Sequence, residues 1–455
     1  MNPIPASQIA DIAGATVTAG GPGVTVTSGV CTDTRKLVPG CAFFALKGEN
    51  FDGDEFAASA LENGASVAVV STWKGGEVPA DKAVIEVSDP LLALQKLACW
   101  WRKQLDIPVV CITGSNGKTS TKDFTTAVLA QRFRVSATKG NLNNHIGVPL
   151  TVLSTSQDDE AAVWEIGMNH SGELAPLCEI IRPKFGIITN IGTAHIEFLG
   201  SRDAIAEEKS TLARALPSEG ILFIPVACDY NEYLRQRTKA HIVSVGNGRG
   251  LVRAENPHFA ADHSRFSLVI EGLGSIDLTL RVPGRHMVTN ALLAAAAGWK
   301  LGLTLEEIAA GLESATLTGG RLALYQSRGV SVIDDTYNAN PESMAAAIET
   351  LADTPVVNGG RRIIVLGKMG ELGTHGPAAH QRTGELAARR KLQVVAVGEG
   401  AEGIADGAGG APYFPDLTTA ADWLAREAKA GDVVLFKGSR TAAVERVMNS
   451  AFPRP

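Results

Sequence analysis

The sequence predicts an α/β protein of three domains: a small N-terminal α/β domain over residues 1–89, a central domain over 90–318 with a doubly wound, mainly parallel sheet, and a C-terminal Rossmann-like α/β domain over 319–455. Three observations predict this arrangement. The chain has 455 residues, enough for about three domains of ordinary size. Short apolar runs alternate with helical patterns along most of it, as in parallel sheets with crossover helices. This alternation restarts after the Gly-containing segment Thr316–Gly320, which we interpret as a linker.

The region up to Asp89 combines short β-like runs with one helical stretch. The helical stretch, Glu55–Asn63, is expected to end at Gly64. Asp89 and Pro90 then favour the start of a helix over Leu91–Leu105, whose apolar residues recur at helical spacing. The strands predicted here are Val24–Thr27, Ala42–Leu46, Val67–Val70 and Ala83–Val87.

The central region alternates strands and helices and then changes to a two-residue period. Alternation favours a parallel doubly wound sheet, and the two-residue period between about residues 251 and 280 favours an antiparallel patch. The predicted strands are Val109–Thr113, Arg134–Ala137, Val163–Ile166, Gly186–Ile191, Ile221–Ile224, His241–Val245, Ser267–Ile270 and Ser275–Leu280. The predicted helices are Ser120–Gln131, Glu173–Ile181, Arg202–Leu216, His286–Leu301 and Thr304–Glu313.

The C-terminal region repeats the parallel α/β pattern. Its predicted strands are Val330–Asp334, Ile363–Leu366, Val394–Val397 and Val433–Phe436, with helices between them.

Composition narrows the functional class. The chain is 45% apolar and 20% charged, which is typical of a globular protein, and its net charge of −6 gives no general footprint for nucleic acid or an anionic membrane. The N-terminus lacks the basic and apolar parts of a signal peptide, and the longest apolar stretch is too short for membrane insertion. The six cysteines have no metal-binding spacing. We therefore expect a cytoplasmic protein with reduced thiols.

The most informative segment is Pro108–Lys122, where an apolar run ends in a Gly-rich turn followed by Lys118 and Thr119. A strand that feeds such a loop and a helix N-terminus is typical of a phosphate-binding loop, with the lysine near the β/γ-phosphates and the hydroxyl near Mg²⁺. The common pattern requires glycine where Ile112 stands, so a chance turn remains an alternative. The flanking strand and helix favour nucleoside triphosphate binding.

Two further motifs follow predicted parallel strands, where ligands of such sheets bind. Glu165 ends one strand and His195 follows another, so both are expected on the same sheet edge as Thr119. Glu165 suits a hard cation such as Mg²⁺, whereas histidine is a less usual ligand for it. A structural hydrogen bond of His195 and a structural carboxylate at Glu165 are the alternatives.

Other polar segments carry weaker signals. Gly140–Pro149 either offers amides to a substrate or is a turn-rich connection. Lys209 follows two glutamates on a helix and would ordinarily belong to a solvated charged face. The acids Asp334 and Asp335 follow a strand and could bind ribose hydroxyls, and Lys437–Arg440 ends the last strand in the same way.

Together these motifs resemble the Mur ligase family, the ATP-dependent amide-forming enzymes of peptidoglycan precursor synthesis. The loop Thr113–Thr119 is similar to the family's variant phosphate loop, which also lacks the first glycine. The resemblance covers nearly the whole chain and is strongest to members that add D-alanyl-D-alanine to a UDP-N-acetylmuramoyl-tripeptide. It rests on Thr32–Arg35, Phe43–Glu49, Gly140–Pro149, Glu165–Glu173, Thr189–Glu197, Asp334–Met344 and Leu366–Gly373.

The resemblance implies what each domain binds. The first would bind the UDP-sugar end, the second ATP and Mg²⁺, and the third the incoming D-Ala-D-Ala while it closes over ATP. It also implies an acyl-phosphate mechanism, small-molecule substrates rather than nucleic acid, and a monomer.

The resemblance also implies residue roles. The catalytic residues would be Lys118, Glu165, His195 and Lys209, the last as an N-carbamate. Mg²⁺ would be held by Thr119, Glu165, His195 and Lys209. The nucleotide would be bound by Gly114, Ser115, Asn116, Gly117, Lys118, Thr119, Asn290, Arg321 and Asp335, with Asn290 at the adenine. Substrate-binding residues would be Thr34, Arg35, Lys47, Asn141, Asn144, Asn338 and Asn340.

Two positions depart from the family pattern. Met287 stands where the adenine segment often has asparagine, which puts a side-chain contact there in doubt. Lys368 stands where aspartate is common, and we assign it no role.

Three rival functions remain from the sequence. One is another Mur-family amino-acid ligase or a folylpolyglutamate-synthetase-like ligase, which would share the ATP machinery. The second is a P-loop nucleotide switch, which would leave Glu165, His195 and the third domain without a role. The third is an inactive binding protein, which the intact Lys118 and Thr119 argue against.

Overall fold

The computed structural model describes residues 1–356 and 359–454. These residues form two compact units. The first unit comprises Met1–Cys111, Phe133–Met168 and Gly172–Lys184, and the second comprises Ile112–Arg132, Asn169–Ser171 and the described residues from Phe185 onward. Both units contain mixed, mostly parallel sheets with helices, so the predicted α/β class is confirmed.

The strands are numbered along the chain. They are β1 (Ile4–Pro5), β2 (Val17–Gly20), β3 (Thr25–Val26), β4 (Val30–Cys31), β5 (Ala42–Phe44), β6 (Val67–Val70), β7 (Ala83–Glu86), β8 (Val109–Thr113), β9 (Val135–Ala137), β10 (Ala161–Glu165), β11 (Phe185–Ile188), β12 (Ile221–Pro225), β13 (His241–Asn247), β14 (Val252–Phe259), β15 (Ser264–Ile270), β16 (Gly274–Leu280), β17 (Ala323–Ser327), β18 (Val330–Asp334), β19 (Arg362–Leu366), β20 (Gln393–Val397), β21 (Tyr413–Phe414) and β22 (Val433–Lys437).

The helices are numbered in the same way. They are α1 (Ala6–Ala13), α2 (Ala57–Glu62), α3 (Pro90–Lys103), α4 (Lys118–Leu129), α5 (Gly147–Ser154), α6 (Leu174–Ile181), α7 (Ile196–Leu199), α8 (Arg202–Ala215), α9 (Asn231–Arg235), α10 (Arg285–Lys300), α11 (Leu305–Ser314), α12 (Pro341–Asp353), α13 (Gly376–Arg389), α14 (Glu402–Gly407), α15 (Leu417–Glu427) and α16 (Val444–Ala451). No helix in the described part of the chain is both long enough and apolar enough to cross a membrane.

The first unit contains a five-stranded sheet in the order β2-β7-β6-β5-β4. Strands β4 to β7 pair in parallel and β2 pairs antiparallel with β7. Its core includes Phe43, Ala68 and Val84, which are fully or almost fully buried. The same unit holds the parallel pair β9 and β10, with Ala161 opposite Val135.

The second unit contains two sheets. In one, β11, β12, β13 and β14 pair in parallel and β14, β15 and β16 antiparallel, which confirms the antiparallel patch predicted from the two-residue period. The other has the order β17-β18-β22-β19-β20-β21, with only β17 antiparallel. Because these parallel strands are not neighbours in sequence, helices cross between them, as in a Rossmann-like domain.

Several predicted elements differ from the structure. Strand β11 ends at Ile188, not Ile191, because the residues that follow bond to the loop after β8. Gly140–Pro149 was expected to be loop, but Gly147 begins α5, where the Asn144 side chain accepts a hydrogen bond from its amide (2.9 Å). Helix α1 and strand β2 were not predicted. The domain boundaries 1–89, 90–318 and 319–455 stay a prediction.

Candidate active site

The loop between β8 and α4 requires both of its glycines. Gly114 has φ 148°, and a Cβ there would collide with the hydroxyl of Thr189. Gly117 has φ 78°, and a Cβ there would lie 2.7 Å from Oδ1 of Asn290. Only glycine combines these backbone angles with so close an approach. The predicted arrangement of strand, Gly-rich loop and helix N-terminus is therefore present.

The segment after β11 fixes the shape of this loop. Asn190 accepts from two loop amides, from Ser115 through its carbonyl (3.1 Å) and from Asn116 through its side chain (2.8 Å). The Thr189 hydroxyl donates to the Asn116 carbonyl (2.5 Å), and Gly192 donates to the Ser115 hydroxyl (2.8 Å). These two loop amides already have partners. The backbone N–H groups in the first turn of α4 are therefore the ones best suited to bind phosphate.

Two lysines bear on the charge near this loop. Lys118 opens α4 and donates from Nζ to the carbonyl of Gly114 (2.9 Å). Lys209 on α8 is only 1% exposed, which rules out the solvated charged face that its sequence neighbours suggested. Burial, and then the positive charge of Lys118, lower the pKa of Lys209 well below its usual value. This shift favours the neutral amine form of Lys209 over the ammonium.

His195 faces a carboxylate to which the sequence analysis gave no role. Its Nδ1 lies 2.6 Å from Oε2 of Glu371, and this contact lowers the pKa of the Glu371 carboxyl. Both residues have left-handed backbones, with φ 66° and 58°, and the Glu371 carbonyl accepts from the amide of Glu197 (3.2 Å). A carboxylate on one ring nitrogen is how proteins commonly orient a histidine whose other nitrogen binds a metal.

Glu165 ends β10 in the first unit and is 3% exposed. Asn143 donates to its Oε1 (2.7 Å), and Thr138 accepts from its backbone amide (2.9 Å). Sequence reasoning selected the neighbouring Asn141 and Asn144 instead. Both are exposed, and the Asn144 side chain accepts from the amide of Gly147, the first residue of α5. Periodicity does not single out Asn143, because its importance comes from the tertiary contact.

The predicted metal donors suit Mg²⁺ in their chemistry. Thr119 offers a hydroxyl and Glu165 a carboxylate, both hard oxygen ligands, and both residues are buried. Within residues 1–356 and 359–454, no cluster of three or more His, Cys, Asp or Glu is arranged to hold a metal. Mg²⁺ is usually held by only one or two carboxylates together with substrate phosphates. Each of these two donors, taken by itself, is therefore of a type that suits this ion.

The predicted ribose contact Asp335 is held by a lysine. Lys437 at the end of β22 donates from Nζ to Oδ2 of Asp335 (2.7 Å) and to the carbonyl of Asn338 (3.0 Å). Burial raises the pKa of Asp335 more than Lys437 lowers it. The guanidinium of Arg321 stacks 3.9 Å from the Tyr337 ring centre, and its buried Nη1 has no hydrogen-bond partner among the described residues. Such a donor suits an anionic ligand.

Asn340, which is predicted to bind substrate, caps α12 and contacts the phosphate loop. Its Oδ1 accepts from the amide of Ser343 (2.9 Å), and its Nδ2 donates to Oδ1 of Asn116 (2.7 Å). Two residues further on, Glu342 accepts from the amide (2.9 Å) and hydroxyl (3.0 Å) of Thr193. Asn338 is exposed, and its Oδ1 accepts from the amide of Ala339 (2.9 Å).

The adenine segment lies at the start of α10. Asn290 is 6% exposed, lies against Gly117 and donates to the sulfur of Met287 (3.7 Å). Burial, and then Lys437, lower the pKa of His286 to about 4. At Lys368, the backbone carbonyl accepts from the amide of Ser439 (2.9 Å). This contact does not involve the side chain, to which we still assign no role.

The predicted UDP-sugar residues lie in the first unit. Thr34 begins a short 3₁₀ turn capped by Asp33, and Arg35 donates to both carboxylate oxygens of Asp33 (2.8 and 2.9 Å). These bonds lower the pKa of Asp33 to about 2. Lys47 is exposed and forms an isolated β-bridge with Asp52.

The second unit thus brings several predicted residues together. Gly114–Thr119, Asn290 and Asn340 meet directly, and His195 lies on the segment that holds the loop. Thr34, Arg35, Lys47, Asn141, Asn144 and Glu165 belong to the first unit.

Three family models match the chain. The model described as "Mur ligase family, catalytic domain" matches residues 26–102, "Mur ligase middle domain" matches 112–298, and "Mur ligase, glutamate ligase domain" matches 320–440. These ranges together cover most of the chain, including the phosphate loop and Asn340.

Relatives and solved structures agree with the family models. The UDP-N-acetylmuramoyl-tripeptide–D-alanyl-D-alanine ligase of Escherichia coli is 38% identical over 92% of this chain and 93% of its own length. The ligase of the same name from Bacillus subtilis is 37% identical, over 95% and 94%. A crystal structure of MurF from Acinetobacter baumannii superimposes with a TM-score of 0.90 at 34% identity, over 99% of both chains. One of MurF from Thermotoga maritima in complex with ADP gives 0.82 at 27% identity, over 93% of this chain and 96% of that chain. The chain therefore belongs to the Mur ligase family.

Proposed function

We propose that the protein is an ATP-dependent ligase that joins D-alanyl-D-alanine to UDP-N-acetylmuramoyl-tripeptide in peptidoglycan precursor synthesis. Curated relatives of this name, 38% and 37% identical along nearly their whole length, support the assignment. The observation that carries it is the phosphate loop, with its two required glycines and with Lys118 and Thr119 at the start of α4.

The reaction has two steps. A carboxylate oxygen of the tripeptide attacks the γ-phosphorus of ATP, the bond to ADP breaks, and an acyl phosphate forms. The neutral amine of D-Ala-D-Ala then attacks the acyl carbon, and the tetrahedral intermediate loses phosphate to leave the amide. Lys118 stabilises the charge on the transferring phosphoryl group.

The other residues position the reactants. Asn290 would contact the adenine, and Arg321 and Asp335 the phosphates and ribose. The predicted Mg²⁺ ligands are Thr119, Glu165, His195 and the carbamate of Lys209, and the ion would neutralise phosphate charge. We assign the UDP-sugar to Thr34, Arg35 and Lys47. The other predicted substrate-binding residues are Asn141, Asn144, Asn338 and Asn340.

The proposal also covers the oligomeric state and the location in the cell. We propose that the enzyme works as a monomer in the cytoplasm. The six cysteines, all free thiols, fit a reducing compartment.

A coupled assay tests the function. Phosphate release is measured with ATP, D-Ala-D-Ala and UDP-N-acetylmuramoyl-tripeptides ending in diaminopimelate or lysine, with each acceptor omitted in turn. We expect release to require both acceptors and the amide product to form in equal amount. ATP hydrolysis independent of both acceptors would favour a P-loop switch, and activity with single amino acids would favour another family ligase.

Loss of the Glu165 carboxylate should weaken the binding of Mg²⁺ to the enzyme. In Glu165→Gln, the Mg²⁺ concentration that gives half-maximal activity should rise by about tenfold or more, because changes around metal ligands typically cost this much. His195→Ala should act in the same direction. The control is Glu219→Gln, which alters an exposed carboxylate. Titration curves that overlay the wild type would leave Glu165 and His195 as structural residues.

A further inference from the structure

A chain of hydrogen bonds fixes the orientation of one side-chain amide in the phosphate loop. The backbone amide of Ser343 can only donate, so the atom of Asn340 that faces it at 2.9 Å must be Oδ1. The other end of the Asn340 amide is therefore Nδ2, a donor. It faces Asn116 at 2.7 Å, so the atom of Asn116 that meets it must be the acceptor Oδ1.

This assignment leaves Asn116 Nδ2 as a donor without a partner. The atom is buried and makes no hydrogen bond within the described part of the chain. A buried donor without a partner costs about 1–3 kcal/mol, so it calls for a ligand or another explanation. The backbone of Asn116 is held at both ends, by Asn190 (2.8 Å) and by Thr189 (2.5 Å). The Asn116 side chain therefore has little freedom to turn toward another hydrogen-bond partner.

We propose that Asn340 is a positioning residue that turns the Asn116 amide so that Nδ2 donates to a phosphate oxygen of the bound nucleotide. This inference rests on the proposed function and adds to it a link from the cap of α12 to the phosphate loop. Glu342, in the first turn of α12, accepts from Thr193 in the segment after β11. The start of α12 is therefore held against that segment independently of the nucleotide.

The cap chemistry allows a test in which stability and affinity move in opposite directions. Aspartate caps a helix well and alanine poorly, so Asn340→Asp should unfold at a higher temperature than Asn340→Ala. A carboxylate only accepts, however, so in Asn340→Asp the Asn116 amide should flip, give Nδ2 to the new carboxylate and present Oδ1 to the phosphate. Asn340→Asp should thus bind nucleotide more weakly than Asn340→Ala.

The probe is the non-hydrolysable β,γ-imido analogue of ATP, with its Kd measured by calorimetry and unfolding followed by heating. We expect Asn340→Asp to raise the Kd by about tenfold or more, in the range of one charge-assisted hydrogen bond. Asn340→Ala should also raise the Kd, but by a factor several times smaller than Asn340→Asp does. In the Asn116→Ala background the two substitutions should differ by less than twofold, because no amide remains to orient.

The double variants also control for the added negative charge. If Asn340→Asp still weakens binding more than Asn340→Ala when Asn116 is alanine, charge repulsion is the cause and the inference is overturned. Equal affinities of the two single variants would also overturn it. Ser343→Ala removes the hydroxyl that accepts from the backbone amide of Asn340 (3.0 Å) but keeps the Asn340 side chain. It should therefore lower the stability of the protein and leave the Kd for the nucleotide within twofold of the wild type. A large change in its Kd would show that helix position alone matters.

Failure of the proposed function has a separate signature. It would appear as absence of ligation by the wild-type enzyme in the coupled assay, whereas failure of this inference would appear in the nucleotide affinities of a chain that ligates.

Discussion

Lys118→Ala should lose nearly all ligase activity while keeping its fold. Lys118 opens α4 directly after the phosphate loop. Asn190 and Thr189 also hold this loop, so Lys118→Ala should leave loop and helix in place. Loss of one preorganised charge contact to the transition state is worth about 3 kcal/mol or more, which is a rate loss of roughly a hundredfold or greater. Steady-state kcat in the coupled assay measures the effect, and circular dichroism checks the fold.

The matched control is Lys103→Ala, which removes an exposed lysine near the end of α3. It should keep the wild-type rate. If Lys118→Ala kept most of its kcat, the loop would not be the site of phosphoryl transfer.

Lys209 is the residue whose replacement should have the second-largest effect. We expect Lys209→Ala to be nearly inactive, and short carboxylic acids to restore part of its activity by supplying the missing oxygen ligand. The chemistry is favourable because the side chain is buried with a depressed pKa, and a neutral amine can add CO₂ to become an anionic carbamate.

Lys209→Met keeps the volume and apolar stem without an amine, so it separates packing from chemistry. It should fold like the wild type and also be inactive. Carbon-13 NMR of wild-type enzyme supplied with labelled bicarbonate should give one carbamate signal that both variants lack. A fully active Lys209→Met enzyme, or a wild type without that signal, would contradict carbamylation.

Local sequence patterns were sufficient to predict the phosphate loop because strand, glycine and helix signals lie within one short segment. The burial of Lys209 was not predictable, because two preceding glutamates on a helix resemble a solvated face, whereas the fold covers this one. Glu371 was also missed. Its position against His195 depends on two left-handed backbones at residues other than glycine, for which the sequence carries no signal.

The role of Asn340 shows the same limit from another side. The sequence motif drew attention to the residue, but its partner Asn116 is 224 positions away, and such a pair emerges only from the tertiary fold. Asn143 was passed over between two selected neighbours for the same reason, since its contact is with Glu165.

The two hydrogen bonds that Asn190 accepts from the phosphate loop affect the thermodynamics of nucleotide binding. Ordering the backbone of one residue costs about 1–2 kcal/mol of conformational entropy. Because the amides of Ser115 and Asn116 are bonded by the protein itself, that cost falls on folding and not on nucleotide association. A substitution such as Asn190→Ala would then shift the binding entropy to less favourable values without removing any contact to the ligand. Nucleotide affinity in this enzyme is in part a property of how rigid the segment after β11 is.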